Sequence, residues 1–187
     1  MKRFVVLFGP SAVGKMPVGT ALAQQTGMKL FTNHMTIEMV RHVFPHGQTF
    51  RKLVMEFRRR IIEEAAHSDL PGLIFTYVWA LELAVDRQEI DDYVSLYTGQ
   101  GGQAYFVELE ATQKVRLERN VSPLRLAHKP SKLDLEWSRK DLIDRDHRFQ
   151  LNSQGDFFYP ERHLKIANDN LPSDQAARQI AAWLDSF

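Results

Sequence analysis

The stretch FVVLFGPSAVGKMPVGTALAQ, residues 4–24, constrains the fold more than any other part of the sequence. Residues 4–8 form a continuous apolar run of β-branched and aromatic side chains, which is typical of a strand buried on both faces. A glycine-bearing loop follows, and residues 13–26 have the apolar spacing of a helix that Gly27 ends. A buried strand joined to a helix by a short loop is the opening unit of an α/β fold on a parallel sheet.

The rest of the chain repeats this alternation. Apolar runs bounded by turn residues predict four further strands, at residues 29–31, 73–78, 105–109 and 164–167. Helical spacing predicts helices within residues 32–44, where Pro45 closes the helix, and at residues 50–61, 83–96, 112–120 and 135–151, and a closing helix that Ser173 caps. Strands that alternate with helices predict a three-layer α/β/α fold with a five-stranded parallel sheet and right-handed crossovers.

In the helix at residues 50–61 the sequence predicts one buried face, made of Phe50, Leu53, Val54, Phe57 and Ile61. The three arginines at positions 58–60 are then expected to point mostly into solvent.

Composition limits the kinds of protein that this chain can be. Its 187 residues, 44% hydrophobic and 25% charged, predict one domain over residues 1–187. No apolar run approaches the roughly 20 residues of a membrane span, and 24 basic against 23 acidic side chains favour neither nucleic acid nor a membrane as partner. The absence of cysteine excludes disulfides and thiolate chemistry, and it is typical of a cytoplasmic protein. The seven histidines have no metal-ligand spacing.

The loop after the first strand has the residues of an anion site. Gly9, Gly14 and Lys15 satisfy the pattern GxxxxGK between a strand and a helix. Backbone N–H groups can converge on an anion there, and the helix dipole favours negative charge. The alternative is a glycine turn that merely joins the strand to the helix.

On GPSAVGK and the order of its strands and helices, the chain resembles the P-loop NTPase superfamily, within it the small-molecule kinase branch typified by shikimate and gluconate kinases. This resemblance implies ATP and Mg²⁺ as cofactors, and a lid near residues 120–134. It also implies nucleotide-binding residues, which are Gly9, Pro10, Ser11, Ala12, Val13, Gly14, Lys15 and Met16 in the loop, and Arg119, Asn170 and Pro172 around the adenine. Lys15 and the lid arginine, Arg125, would stabilise the transferring phosphoryl group, with His128 and Lys129 as further lid residues.

Two features depart from the pattern of those kinases. Met16 stands where a hydroxyl would ligate Mg²⁺, and a thioether is a poor ligand for a hard cation; Pro17 removes one N–H donor. The third strand ends FTYVW without an acid, so Mg²⁺ is expected to be held through water. Glu108 and Glu110 are candidates to hold those waters, and the alternative is that both are ordinary surface carboxylates.

The acceptor side of the predicted site follows the second strand. Asn33 and His34 stand where those kinases often have an acid, so His34 could act as general base and Asn33 could hydrogen-bond a polar acceptor. The alternative is that this pair caps the next helix. Tyr77 and Trp79 would line the acceptor pocket or belong to the core.

The leading hypothesis is an ATP-dependent phosphotransferase that acts on a hydroxyl of a small molecule. The alternative is a nucleotide-binding protein without turnover, in which Met16, Pro17 and the missing acid reflect lost catalysis. A nucleotide hydrolase acting as a switch is a third hypothesis, which the absence of an NKxD motif disfavours. The sequence leaves the acceptor and the oligomeric state open.

Overall fold

Five parallel strands form one sheet in the computed structural model, which describes residues 2–123 and 133–187. The strands are β1 (Arg3–Phe8), β2 (Lys29–Thr32), β3 (Gly72–Tyr77), β4 (Gln103–Glu110) and β5 (His163–Ala167). Their order is β2-β3-β1-β4-β5, so β1 is central and pairs with β3 on one side and β4 on the other. The predicted five-stranded parallel sheet is confirmed, and each strand end lies within two residues of its prediction.

Helices cover both faces of the sheet and complete the predicted three layers. In the described ranges they are α1 (Lys15–Thr26), α2 (Asn33–Arg41), α3 (Gln48–His67), α4 (Ala84–Thr98), α5 (Gln113–Asn120), α6 (Leu135–Arg148) and α7 (Ser173–Leu184). None of these helices combines the length and apolar character that a lipid bilayer crossing requires. Ser173 is the first residue of α7 and Pro172 precedes it without a side-chain cap, so the predicted Ser173 cap is wrong.

The central strand separates two apolar cores. Phe4, Val6 and Phe8 pack with residues of α3 and α4, whereas Val5 and Leu7 pack with residues of α1 and α7. Successive side chains of a strand point to opposite faces, so a strand with a helix layer on each side needs an unbroken apolar run. This is why FVVLF contains no polar residue.

The buried face of α3 differs from the prediction. Its buried residues include Phe50, Val54, Arg58 and Ile62, spaced four apart, whereas Phe57 is 42% exposed and Ile61 is 41% exposed. Arg58 itself is only 6% exposed, so the prediction of three mostly solvated arginines is wrong at this position. A buried helix face is predicted from apolar residues, so this pattern excludes an arginine. A charged side chain can nevertheless be buried when it is paired.

The helix α2 also ends earlier than predicted. It stops at Arg41, so Val43 and Phe44 lie beyond the helix and are exposed. Val40 is buried against Phe50 and Val54 of α3, and this contact holds α2 in place. The result is a short helix whose first turn lies at the carboxyl end of β2, where ligands of open α/β sheets bind.

Candidate functional site

Residues 9–14 connect β1 to α1 through a backbone path that requires glycine at two positions. Gly9 has φ +136° and Gly14 has φ +109°, values that other L-residues rarely adopt. A Cβ on Gly9 would lie 2.3 Å from the Leu109 carbonyl oxygen, and one on Gly14 would lie 2.6 Å from the Asn168 amide nitrogen. The two glycines therefore let the loop pass close to β4 and to the segment after β5.

The side chain of Lys15 folds back over this loop. Its Nζ donates to the Gly9 carbonyl at 2.6 Å and to the Pro10 carbonyl at 2.7 Å. The loop therefore curls around its own lysine instead of running extended. The first N–H groups of a helix have no partner within the helix, so they can bind the oxygens of a polyphosphate. The ammonium group of a lysine beside them adds positive charge to the same site.

Arg119 and Asn168 brace the loop from the other side. Arg119, in α5, donates to the Val13 carbonyl at 3.2 Å and to the Asn168 and Asp169 carbonyls at 2.7 and 2.8 Å. The Asn168 amide nitrogen donates to the Val13 carbonyl at 2.6 Å. The two regions predicted to border an adenine, Arg119 and the segment 168–172, thus lie together beside the loop; Asn170 and Pro172 of that segment are exposed.

Arg116 of α5 is buried and forms an ion pair with Asp146 of α6 through two hydrogen bonds, at 3.0 and 2.5 Å. It also donates to the Ser11 carbonyl at 3.3 Å. This arginine therefore links the glycine loop to α5 and α6, the helices on either side of residues 124–132.

A cavity of about 520 Å³ opens beside the glycine loop. Its walls come from that loop, the start of α2, α3, the end of β3, the start of α4, and α6. The lining includes three arginines and three carboxylates besides Lys15. These are Arg51, Arg58, Arg145, Asp86, Glu89 and Asp141.

The predicted acceptor residues Asn33 and His34 line the same cavity as Lys15. The helix α2 begins at Asn33, and Thr32 precedes it without a side-chain cap, so the alternative that the pair caps the helix is wrong. The Asn33 backbone N–H donates to Thr76 Oγ1 at 3.3 Å, which fixes this turn against β3. His34 Nδ1 lies 3.7 Å from Glu38 Oε1, one helical turn further along.

The sequence did not predict the buried hydrogen-bond network that lies beside the cavity. Arg58 Nη1 donates to Glu89 Oε1 at 3.1 Å, and Arg58 Nε donates to Thr36 Oγ1 at 3.2 Å. The hydroxyls of Tyr77 and Tyr93 each donate to Glu89 at 2.6 Å. Burial, with the charge of Glu89, raises the pKa of both tyrosines, so they remain donors.

The signal for this network was present in the helical spacing. Arg58 continues the four-residue repeat of Phe50 and Val54, and Glu89 precedes Tyr93 by four residues on the buried face of α4. Charged residues at core positions of two neighbouring helices indicate a buried pair. Tyr77 both lines the cavity and belongs to the core, whereas Trp79 is fully buried in the core.

Glu108 is not an exposed carboxylate, and its carboxylate is not placed to hold a water molecule bound to a metal ion. Its side chain is 0% exposed and accepts hydrogen bonds from the Asn152 amide, the Ser153 N–H and hydroxyl, and His163 Nε2. Burial alone would raise the pKa of Glu108, but these donors together lower it to about 2. Glu108 thus anchors the segment after α6 to the sheet, while Glu110 is exposed and pairs with Lys165.

We predict that Glu108→Gln lowers the free energy of unfolding at neutral pH by about 3 kcal/mol, because the carboxylate pKa falls on folding. The lowered pKa means that this stabilisation is present above the ordinary glutamate pKa of 4.5 and is lost as the pH falls towards about 2. Urea unfolding at neutral pH and again near pH 2, where the difference between wild type and variant should vanish, would measure it. The exposed Glu118→Gln variant is the control, and equal stability of both variants would contradict the assignment.

The predicted lid falls largely outside the described residues. Arg125, His128 and Lys129 all lie in the range 124–132, which the structure does not describe. The segments on either side are joined, because the Asn120 amide donates to Ser138 Oγ at 3.0 Å.

Comparison with solved structures places the fold among P-loop small-molecule kinases. A shikimate kinase from Acinetobacter baumannii in complex with shikimate is 18% identical with a TM-score of 0.57, covering 99% of this chain and 93% of that one. A gluconokinase from Sinorhizobium meliloti 1021 is 17% identical with a TM-score of 0.57, covering 97% and 95%. An APS kinase from Mycobacterium tuberculosis in complex with AMPPNP and APS is 15% identical with a TM-score of 0.59, covering 98% of each chain.

No protein-family model and no curated protein matched the sequence. The structural similarity confirms the P-loop kinase fold predicted from GPSAVGK, and at these identities it is evidence for the fold alone.

Proposed function

We propose that this protein is an ATP-dependent phosphotransferase that transfers the γ-phosphate to a hydroxyl of a small molecule. The observation that carries the proposal is the position of Lys15, which closes the glycine loop and also lines the cavity of about 520 Å³. A transferring phosphoryl group must lie between its nucleotide and its acceptor. Lys15 meets that requirement, because it belongs both to the glycine loop proposed to bind the nucleotide and to the cavity proposed to bind the acceptor.

Each part of the site has a role in this proposal, which treats residues 1–187 as one catalytic domain. Residues 9–16 hold the phosphates, while Arg119 and the segment with Asn170 and Pro172 border the adenine. Lys15 neutralises charge on the transferring group, and Arg125 from the lid closes over it. Asn33 and His34 contact the acceptor. ATP supplies the phosphoryl group when bound.

The cavity favours an acceptor that carries an anionic group as well as a hydroxyl. Arg58 donates through Nε and Nη1 to Thr36 and Glu89, and Arg58, Arg51 and Arg145 all line the cavity. A guanidinium presents several donors in a fixed fork that suits carboxylate and phosphate oxygens. A volume of about 520 Å³ accommodates a small acceptor next to the phosphates.

Turnover tests the proposal directly. The protein is incubated with MgATP and a panel of small hydroxy acids, polyols and sugar acids, and the products are analysed by mass spectrometry. We expect one class of acceptor to gain the mass of a phosphoryl group and ADP to form in equal amount. ATP binding without transfer to any member of the panel, and without hydrolysis, would contradict the proposal.

We expect Mg²⁺ to be held through water and phosphate oxygens, because the start of α1 and the end of β3 offer it no carboxylate oxygen. Met16, at the start of α1, offers a thioether, and β3 ends at Tyr77 without a carboxylate. The ion would neutralise phosphate charge during transfer.

We predict that Met16→Thr increases the dependence of ATP affinity on Mg²⁺ by about tenfold, because the new hydroxyl supplies the hard oxygen ligand that the thioether lacks. Calorimetric titration of ATP with and without Mg²⁺ measures this change. Met16→Ala, which removes the thioether without adding an oxygen, is the control. An equal response of the two variants would show that position 16 lies away from the metal.

The second candidate function is a nucleotide-binding protein without turnover, and Met16 and Pro17 favour it. Pro17 occupies the first turn of α1 and lacks the N–H that other residues would offer to a phosphate. In the same calorimetric titration, metal-independent ATP binding without any hydrolysis would support this candidate. Metal-enhanced binding with slow hydrolysis would support the kinase.

A further inference from the structure

Phosphoryl transfer to a hydroxyl requires a group that receives the hydroxyl proton. Three carboxylates line the cavity beside Lys15, namely Asp86, Glu89 and Asp141. Two of them are engaged by neighbouring cations or hydroxyls. Glu89 accepts from Arg58, Tyr77 and Tyr93, and Asp141 Oδ1 accepts from Arg145 Nε at 3.0 Å.

Asp86 differs from the other two carboxylates. Its Oδ2 accepts from the Ala80 backbone N–H at 3.0 Å, and within residues 2–123 and 133–187 no donor contacts its Oδ1. The backbone bond fixes the direction of the carboxylate without neutralising its charge. Asp86 therefore keeps one oxygen for a ligand while the other oxygen holds it in place.

The position of Asp86 suits a reacting group. It lies in the first turn of α4, just beyond the carboxyl end of β3, and lines the cavity together with Ala80, Leu83 and Val85. Burial, with the nearby charge of Glu89, raises the pKa of Asp86, although the Ala80 N–H and Arg58 oppose this effect. A carboxylate with a raised pKa accepts a proton more readily than an exposed one.

His34, the base expected from the sequence, is less well directed. Its Nδ1 faces Glu38, which lines a different cavity with Met16, Pro17 and Asp174. His34 lines both cavities, so it forms part of the boundary between them.

We propose that Asp86 is the general base of the phosphotransfer reaction, an inference that rests on the proposed function. The acceptor O–H proton moves to Asp86 Oδ1 while the acceptor oxygen bonds to the γ-phosphorus. The bond from that phosphorus to the bridging oxygen of ADP breaks, and ADP leaves with its electron pair. Asp86 then releases the proton to solvent, so atoms and charge balance.

Other ionisable groups contribute to the pH dependence that Asp86 would show. Those that share its cavity or act on its charge come from the start of α1, the end of β3, the segment before α4, and α2, α3, α4 and α6. They are Lys15, His34, Arg51, Arg58, Tyr77, Glu82, Glu89, Asp141 and Arg145. The test must therefore identify which side chain produces the acid limb of the pH profile.

The test compares Asp86→Asn, Asp86→Glu and His34→Gln with wild type in MgATP turnover from about pH 5 to about pH 9. Water is the acceptor, so no acceptor needs to be identified beforehand. We expect Asp86→Asn to lower kcat about a hundredfold, to leave the KM for ATP within about threefold, and to remove the acid limb of the pH profile. Asparagine retains an oxygen for the Ala80 N–H, so the fold should persist, and Asp86→Glu should retain the acid limb at a shifted pH.

Asp92→Asn, an exposed position of the same helix, is the matched control and should behave as wild type. Retention of the acid limb in Asp86→Asn, or its loss in His34→Gln instead, would overturn the assignment of Asp86 while the proposed function stands. An absence of wild-type turnover both with water and with every acceptor of the panel, when calorimetry shows ATP binding, would overturn both proposals.

Discussion

Lys15→Ala is expected to reduce the phosphotransfer rate about a thousandfold and to weaken ATP binding about 10–100-fold. The ammonium group lies at the mouth of the glycine loop, within 2.7 Å of the Gly9 and Pro10 carbonyls, and it lines the acceptor cavity. Its removal deletes a positive charge from the place where negative charge develops during transfer. The effect on rate exceeds the effect on affinity, because the interaction strengthens in the transition state.

The matched control for this prediction is Lys114→Ala, an exposed lysine of α5 outside the cavity. Steady-state kinetics give kcat and KM, and calorimetry gives the affinity for ATP. Circular dichroism verifies that both variants are folded. If Lys15→Ala bound ATP as tightly as wild type, the loop would not be the phosphate site.

Arg58→Met is expected to lower the free energy of unfolding by about 3–5 kcal/mol, because it leaves Glu89 charged and buried without its cation. Arg58 and Glu89 are 6% and 9% exposed, and their contact is 3.1 Å. Methionine keeps most of the length and apolar volume of the arginine stem. The loss would therefore come from the broken pair and not from a cavity.

A double-mutant cycle separates the pair from its surroundings. Glu89→Gln combined with Arg58→Met removes both charges, so the double variant should regain part of the stability that the single variant loses. Arg59→Met, at an exposed neighbouring position, should change stability by less than about 0.5 kcal/mol. Urea unfolding measures the four proteins of the cycle and the Arg59→Met control. If the double variant lost as much stability as the two single variants lose together, the contact would not couple the two residues.

The architecture could be predicted from the sequence because its signals are local. The apolar run of residues 4–8, the glycines that flank the loop, and the alternation of strand with helix are each visible within a short window. Even so, the buried face of α3 was placed incorrectly, since Phe57 and Ile61 are exposed while Arg58 is buried. Hydrophobicity alone cannot place a charged residue in the core when its partner lies 31 positions away.

Prediction of the complete site would have required knowing which loops lie next to one another in the folded protein. The sequence identified Lys15, Asn33 and His34 as neighbours because parallel strands end at one edge of a sheet. It gave no reason to add Asp86, which follows β3 by nine residues and reaches the cavity only because α4 starts there. Glu108 was misjudged for the same reason, because its partners in the segment after α6 and in β5 are distant in sequence.

The proposed function requires that the backbone of residues 9–16 bind a polyphosphate, and the chemical shifts of its amides report such binding. In a ¹H–¹⁵N spectrum recorded during titration with MgATP, we expect the largest shifts at the backbone amides of Gly9 and of residues 11–16, since Pro10 has no N–H, and at Asn168, which contacts the loop. Shifts at these positions that saturate with MgATP would support the assignment of residues 9–16 as the phosphate site. Unchanged loop amides at millimolar MgATP, or shifts confined to a distant surface, would contradict it.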